Sequence, residues 1–459
     1  MKKLFFITLI IFSKVVFSQE IVRDNRGLPI CFEDNQNKLS VHFSWVDSYL
    51  TRDLLVSYSL DNCKDKIRTN GRIDLNWNKI TQKQIVQLPK DLQFEIKQWQ
   101  EKASKIKETA EAKKYIEENN ITDYTLELNR SLSRDYGQMF SARVFQQVIE
   151  SKVENKNFKE KLKQKIINKK LIENRFSKLK DNVVIVVSFG LGWEERYNKT
   201  APFYLKDFIY DIKSLGIPVV FLKRNAFGTV HDNIEKITPQ LLSVLKSGKE
   251  IIFVSLCKGT PELMAAEANV LRSNELSVKA KVLGHVNLSG MLGGAFFSDY
   301  SKEVVFPKLV APLLKLIPTD LTNDSAQMIE AIDYMKNSII ETTVRNAIPE
   351  IERDRLYINV TGAPMSNQVL ENKSPMIPIL KYNFKKKLID GASDGFLELP
   401  KTLIPQELSN NQLTLVLDSS HLLSDGEIDG IRIDDKMNRR ILYNTIIEEI
   451  LIRNSISID

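Results

Sequence analysis

The stretch Ile251-Ile252-Phe253-Val254-Ser255-Leu256-Cys257-Lys258-Gly259-Thr260-Pro261-Glu262-Leu263 carries the decision about the fold. It opens as an uninterrupted apolar run, the pattern of a strand covered on both faces. It then turns into helical spacing that continues to Leu271. Pro261 suits the first turn of that helix, where its missing N–H is not needed. Within the turn, Cys257 has a small residue two positions before it, Ser255, and another two positions after it, Gly259. A nucleophile on a sharp strand-to-helix turn needs that spacing, because larger side chains would collide as the backbone folds back. The helix N-terminus behind Cys257 would also favour a thiolate. A cysteine at a strand end is equally compatible with an ordinary core position, so the neighbouring segments have to decide.

Outward from this turn, apolar runs alternate with helical segments. The runs are Val183–Phe189, Ile217–Leu222, Ile251–Leu256, Ala280–Leu288, Leu356–Val360 and Leu413–Leu417. Between them, Phe203–Leu215, Pro239–Leu245 and Pro261–Leu271 read as helices, and Asp434–Arg453 closes the chain as another. This alternation predicts an α/β fold, a mostly parallel sheet with helices on both faces. The segment at about 296–353 breaks the rhythm and reads as a helical insert over one end of the sheet, most clearly at Ala326–Met335. The expected organisation is a leader at 1–18, a mixed N-terminal region at 19–180 and the sheet domain at 181–459. In the N-terminal region, Leu54–Tyr58 and Ile73–Leu75 read as strands. Asp91–Glu118 and Gln138–Leu179 read as helical stretches. Residues 151–180 hold eleven Lys/Arg against three Glu. A basic amphipathic helix is able to touch an anionic membrane surface. Packing of the stripe Phe158, Leu162, Ile166 on a neighbour explains the spacing without a membrane and is the preferred reading.

Met1-Lys2-Lys3, the apolar run Leu4–Ser13 and the small residues Val16 and Ser18 have the form of a secretory signal peptide cut before Gln19. The expected address is the periplasm or the medium. The whole chain of 459 residues has 65 basic and 58 acidic residues, and Lys2, Lys3 and Lys14 leave with the leader. The remaining excess is too small to argue for nucleic acid. Hydrophobic residues at 43% exclude a disordered chain. Three cysteines exclude a disulfide scaffold, but export implies an oxidising compartment. Cys31 and Cys63 are then expected to pair, closing a loop worth roughly 3 kcal/mol in the chain-entropy model. Cys257 is left as a single thiol, either buried and inert or chemically employed.

In an open parallel sheet, function collects at the carboxyl ends of the strands. Past Leu356–Val360 comes Asp390-Gly391-Ala392-Ser393-Asp394-Gly395, and past Leu413–Leu417 comes Asp418-Ser419-Ser420-His421. Taken singly, an Asp-Gly turn is common and a loop histidine ordinary. Together they give the order nucleophile, acid, histidine, at steps of 137 and 27 residues, each beyond a different strand. Cys257, Asp394 and His421 are therefore the candidate catalytic residues.

Over about residues 181–455 the chain resembles the α/β-hydrolase superfamily. The carriers are Ser255-Leu256-Cys257-Lys258-Gly259, Ser393-Asp394-Gly395 and Ser420-His421. Ser188-Phe189-Gly190-Leu191-Gly192-Trp193 stands where the family has its oxyanion-hole loop, and Ser289–Ala295 is similar to a Gly-rich loop of lipase-like members. Two departures stand out: Ser255 replaces the first elbow glycine, and cysteine replaces the usual nucleophilic serine. Cysteine in this slot is similar to dienelactone hydrolases and polyhydroxyalkanoate synthases, both cytoplasmic, whereas this chain is expected to be exported.

The resemblance implies a Cys-His-Asp triad acting on an ester or thioester, by hydrolysis or acyl transfer. The backbone N–H groups of Lys258 and Leu191 would meet the oxyanion, Gly190 belonging to the same loop as Leu191. No metal or other cofactor is expected, since His42, His231 and His285 lack ligand spacing. The expected partner is a small-molecule or lipid-like ester. Two alternatives stay open: a scaffold that has lost catalysis and binds a partner at the cell surface, and an enzyme silenced by oxidation of Cys257. The sequence sets neither the substrate nor the oligomeric state.

Overall fold

The computed structural model describes residues 19–21, 31–33, 39–47, 50–57, 67–69, 72–74, 109–169, 174–190, 203–225, 227–273, 281–295, 298, 330, 332–365, 390–421, 423, 426–433 and 435–457. The expected leader, Cys63, Leu191 and most of the 296–353 segment lie outside them.

The chain divides into two compact units, Met1–Lys107 and Glu108–Asp459. The first contains β1 (Gln19–Ile21), β2 (Cys31–Glu33), β3 (Leu39–Asp47), β4 (Leu50–Ser57), β5 (Ile67–Thr69) and β6 (Arg72–Asp74). Their pairings are all antiparallel, in the order β1-β3-β2-β6-β5 with β4 on the other side of β3.

The second unit begins with a helical stretch at 109–118. It continues through α1 (Leu126–Tyr136), α2 (Gln138–Ser151) and α3 (Val153–Ile167). Then come β7 (Val183–Ser188), α4 (Phe203–Lys213), β8 (Val219–Phe221), α5 (Val230–Leu245), β9 (Glu250–Leu256), α6 (Gly259–Arg272) and β10 (Val282–Leu288). The unit closes with α7 (Asn337–Ala347), β11 (Leu356–Gly362), β12 (Gln412–Leu417), the short hairpin β13 (Glu427–Ile428) and β14 (Ile431–Arg432), and α8 (Lys436–Arg453). The sheet order is β12-β11-β10-β9-β7-β8, parallel at every pairing. From β7 the chain steps outward to β8. It then returns to the far side of β7 as β9 and steps the other way to β12. The strand order therefore reverses between β7 and β9, which opens a crevice at their carboxyl ends.

The apolar runs carry no polar alternation because both faces of the sheet are covered. On β7, Val184 and Val186 join Ile251, Phe253, Ile237, Leu241 and Leu263 in one core layer, beneath α5 and α6. The intervening Val183, Ile185 and Val187 join Ile252, Val254, Leu283 and Leu415 in the other layer, beneath α3, α4 and α8. Phe158, Leu162 and Ile166 of α3 belong to that second layer. This corrects the expected boundary at 181: the compact unit starts at Glu108, because these side chains complete the sheet's core. The basic side chains of α3 have local partners. Lys159 meets Glu150 at 2.7 Å and Asp429 at 2.8 Å, while Lys161 and Lys165 reach Glu449 and Glu448 on α8.

Two elements differ from expectation. The segment Gln138–Leu179 is not one helix, because Lys152 takes an extended conformation between α2 and α3 and the second helix ends near Asn168. Helix α5 starts at Val230 rather than Pro239. Thr229 and Asp232 form a reciprocal capping box there, so the helix is nucleated nine residues before the proline.

Ile185 is fully buried between two covered strands. Ile185→Ala should lower stability by about 2–5 kcal/mol, read as an earlier midpoint in urea unfolding; an unchanged midpoint would contradict the two-faced packing.

Candidate active site

Cys257 sits between the end of β9 and the start of α6 with φ +54°, in the left-handed region that a side-chain-bearing residue seldom adopts. The strain persists because both of its backbone groups are held. Its N–H donates to Leu288 O at 3.1 Å, and its carbonyl accepts from Thr260 N at 3.1 Å and Met291 N at 3.0 Å. Gly259 is obligatory: a Cβ there would stand 2.3 Å from Ser188 O and 2.4 Å from Phe189 O. Gly190 lies against the nucleophile, where a Cβ would come within 2.8 Å of Cys257 Cβ. Lys258 is the N-cap of α6, at an end where helix N–H groups lack intrahelical acceptors. Of the two expected oxyanion donors, the Lys258 amide is thus described at the elbow, and Leu191 lies outside the described residues.

Ser255 occupies the position of the expected first glycine without difficulty, because its hydroxyl enters a buried polar row. Its Oγ is 2.7 Å from His285 Nε2 and 2.8 Å from Thr260 Oγ1. Thr260 donates to Asn287 Oδ1 at 3.1 Å, and Asn287 donates to Asn359 Oδ1 at 2.8 Å. Ser255, Asn287, Asn359 and Thr414 stand in register on β9, β10, β11 and β12. The row also holds the segment after the acid, through Asn287 to Thr402 O and Ile404 N to Asn359. His285 thus has a structural place. Burial, aided by the charge of Arg355, pushes its pKa down to about 3, so the ring is neutral.

Asp394 and His421 meet across the carboxyl ends of β11 and β12. His421 Nδ1 donates to Asp394 Oδ2 at 2.6 Å, and the His421 backbone N–H donates to Asp394 O at 2.8 Å. The other carboxylate oxygen, Oδ1, accepts from Phe396 N at 2.9 Å and Leu397 N at 2.8 Å. Asp394 is fully buried and His421 is 4% exposed. The Phe396 ring lies 5.1 Å from the imidazole. Burial by itself favours the neutral ring. The charges of Asp394 and Cys257 outweigh it and hold the imidazole pKa well above its usual 6.5. Nε2 is buried and makes no hydrogen bond of ordinary geometry, and the Cys257 side chain is close enough to act on the ring.

Sequence reasoning missed a buried charged cluster behind the elbow. Lys258 Nζ donates to Gly228 O and lies 3.3 Å from Glu262 Oε1. Arg224 is 2.7 Å from Glu262 Oε2, and also donates to Phe189 O, next to Gly190. Asn233 donates to Glu262 Oε1 at 3.0 Å. Burial above all, with the charge of Arg224, lowers the Lys258 pKa to about 8 against the opposing pull of Glu262. The i, i+4 spacing of Lys258 and Glu262 was visible in the sequence; the third member, Arg224, comes from the end of β8 and was not.

The sheet order, the elbow after β9, the acid after β11 and the histidine after β12 define an α/β-hydrolase fold. No protein-family model matches the chain, and no curated protein matches it in sequence. Among solved structures, it is similar to a metagenomic carboxyl esterase at 13% identity and TM-score 0.38, over 59% of this chain and 76% of that one. It is also similar to the mature lipase BlEst2 of Bacillus licheniformis at 14% identity and TM-score 0.38, over 58% and 91%.

The raised His421 pKa has a sign that can be measured. A folded-state value above the unfolded one stabilises the fold fully below about pH 6.5, and that contribution is lost as pH rises through the folded value. Asp394→Asn removes the first charge opposing burial, so the ring should titrate at lower pH than in the wild type. NMR of the His421 ring protons checks this; an unmoved titration would remove Asp394 as its partner.

Proposed function

We propose that the chain is an exported hydrolase of ester or thioester substrates, acting through Cys257, His421 and Asp394 with an acyl-cysteine intermediate. The observation that carries this reading is the strained, doubly pinned Cys257 at the switch point, beside an imidazole already locked to a buried carboxylate. His421 takes the thiol proton, and the thiolate sulfur attacks the acyl carbonyl carbon. The carbonyl π pair moves onto oxygen, which the Lys258 amide and a donor from the β7 loop meet; each such donor is typically worth roughly 3 kcal/mol. Collapse breaks the bond to the leaving alkoxide or thiolate, and His421 returns the proton to it. Water, losing a proton to His421, then attacks the acyl-cysteine. The second collapse releases the acid and restores the thiol. Asp394 holds the imidazole tautomer and balances its charge throughout. A sulfur nucleophile matches acyl groups with good leaving groups, so esters and thioesters of small or lipid-like alcohols and thiols are the substrate class. The buried Asp394–His421 pair and the strained Cys257 at the elbow favour this over a binding scaffold.

Cys257→Ala should abolish turnover of short p-nitrophenyl esters, and iodoacetamide should alkylate wild-type Cys257 near neutral pH faster than a free thiol of pKa about 8.5. Full activity in the variant sinks the nucleophile; an inert thiol favours the binding reading.

Export and the N-terminal disulfide are part of the same proposal. Protein recovered from the medium or periplasm should begin at Gln19 and, digested without reductant, give a peptide pair joined through Cys31 and Cys63. An intact Met1 would remove the export assignment, and two free thiols the disulfide.

A further inference from the structure

The helices that precede the sheet were left without a role by the sequence; α1 contacts the loop that carries Asp394, and α3 contacts the strand before His421 and the hairpin after it. Asn129 on α1 is fully buried. Its Oδ1 accepts from Ala392 N at 3.0 Å and its Nδ2 donates to Ala392 O at 3.1 Å, two residues before Asp394. The amide thus pairs with the loop backbone as a neighbouring strand would. Gly391 makes room for it: a Cβ there would stand 2.2 Å from Asn129 Nδ2. Asn129 is itself held by Tyr124 Oη at 2.8 Å and by Ser141 Oγ at 3.2 Å. The next residue, Arg130, makes a two-pronged ion pair with Glu398, at 2.8 and 2.9 Å. Glu398 bridges back to Ser393 and so closes the hairpin that presents Asp394. On the histidine side, Lys159 of α3 grips Asp429 in the turn of the β13–β14 hairpin, which follows His421. Asn155 of α3 accepts from the N–H of Thr414, on the strand leading to His421, at 2.8 Å.

Resting on the proposed triad, we infer that Asn129 and Arg130 are positioning residues: α1 sets the acid loop so that Asp394 holds the His421 ring at 2.6 Å. A helix that merely packed would bury apolar surface against the sheet. Here its polar groups go to the loop backbone on one side of Asp394 and to the residue that closes the hairpin on the other.

The test uses the full chain carrying Asn129→Ala and, separately, Arg130→Gln. The latter changes a part-exposed side chain, so it is expected to fold if the former does not. Each variant is assayed for kcat and KM on p-nitrophenyl butyrate, for Tm, and for iodoacetamide alkylation of Cys257 at about pH 6 and about pH 9. The expected result is a kcat reduced by about 10- to 100-fold with KM nearly unchanged, since a small misplacement of the catalytic groups is costly. Alkylation should fall at the lower pH, where attack by Cys257 depends on the imidazole that Asp394 orients, and stay at the wild-type rate at the higher. Wild-type kcat together with a wild-type alkylation ratio overturns the inference. So does an equal loss at both pH values in step with a lower Tm, which a merely structural role would produce. If Cys257→Ala keeps full turnover, the proposed function fails instead, and the alkylation ratio still reports whether Asn129 positions His421.

Discussion

The space above Gly259 is already filled by the carbonyl oxygens of Ser188 and Phe189, so the first residue of α6 has to be without a side chain. That close approach draws the end of β7 against the elbow. It places Gly190 beside Cys257, and it lets the Cys257 backbone reach across to Leu288 and Met291. The left-handed conformation of Cys257 follows from these ties rather than from any local preference, since a cysteine pays of order 1 kcal/mol or more to adopt it. Cys257, the segment Ser188–Gly190 and the helix N-terminus therefore share one packing constraint.

The acid and the histidine rest on a second set of ties, made by polar groups in a dry interior. The row from Ser255 through Asn287 and Asn359 to Thr414 crosses four strands one layer below the site. Each of these groups is buried, and each has a partner. A buried amide left without one would cost about 1–3 kcal/mol, so the row resists change at any single position and keeps the strand ends in fixed register. The Asp394 loop is held from both sides, by this row through Thr402 and Ile404 and by α1 through Asn129 and Arg130.

The parallel sheet was legible because unbroken β-branched runs are incompatible with a half-solvated surface, and each of the six expected runs of residues 181–459 overlaps a strand. Cys257, Asp394 and His421 were legible as candidates for a related reason: each follows a strand, and the order of loops along the chain is visible even when the place where Asp394 meets His421 is not. Less legible were the contributions of residues distant in sequence. The expected boundary at 181 failed because amphipathic spacing shows that α3 has a buried face but not what covers it. The helical reading began only at Pro239. Thr229 and Asp232 had already capped the helix further upstream.

By itself, the sequence determined the alternation of strands and helices, the small residues that permit the elbow, and the chain order of cysteine, aspartate and histidine. These depend on backbone sterics and on hydrophobic period, which act over a few residues. Only the tertiary structure decided that Asp394 meets His421 at 2.6 Å, that Arg224 reaches Phe189 and Glu262, and that helices at 126–167 belong to the same compact unit as the parallel sheet. Those are contacts between groups 27 to more than 200 residues apart, and burial, which raises the strength of each such contact, exists only once the core has closed.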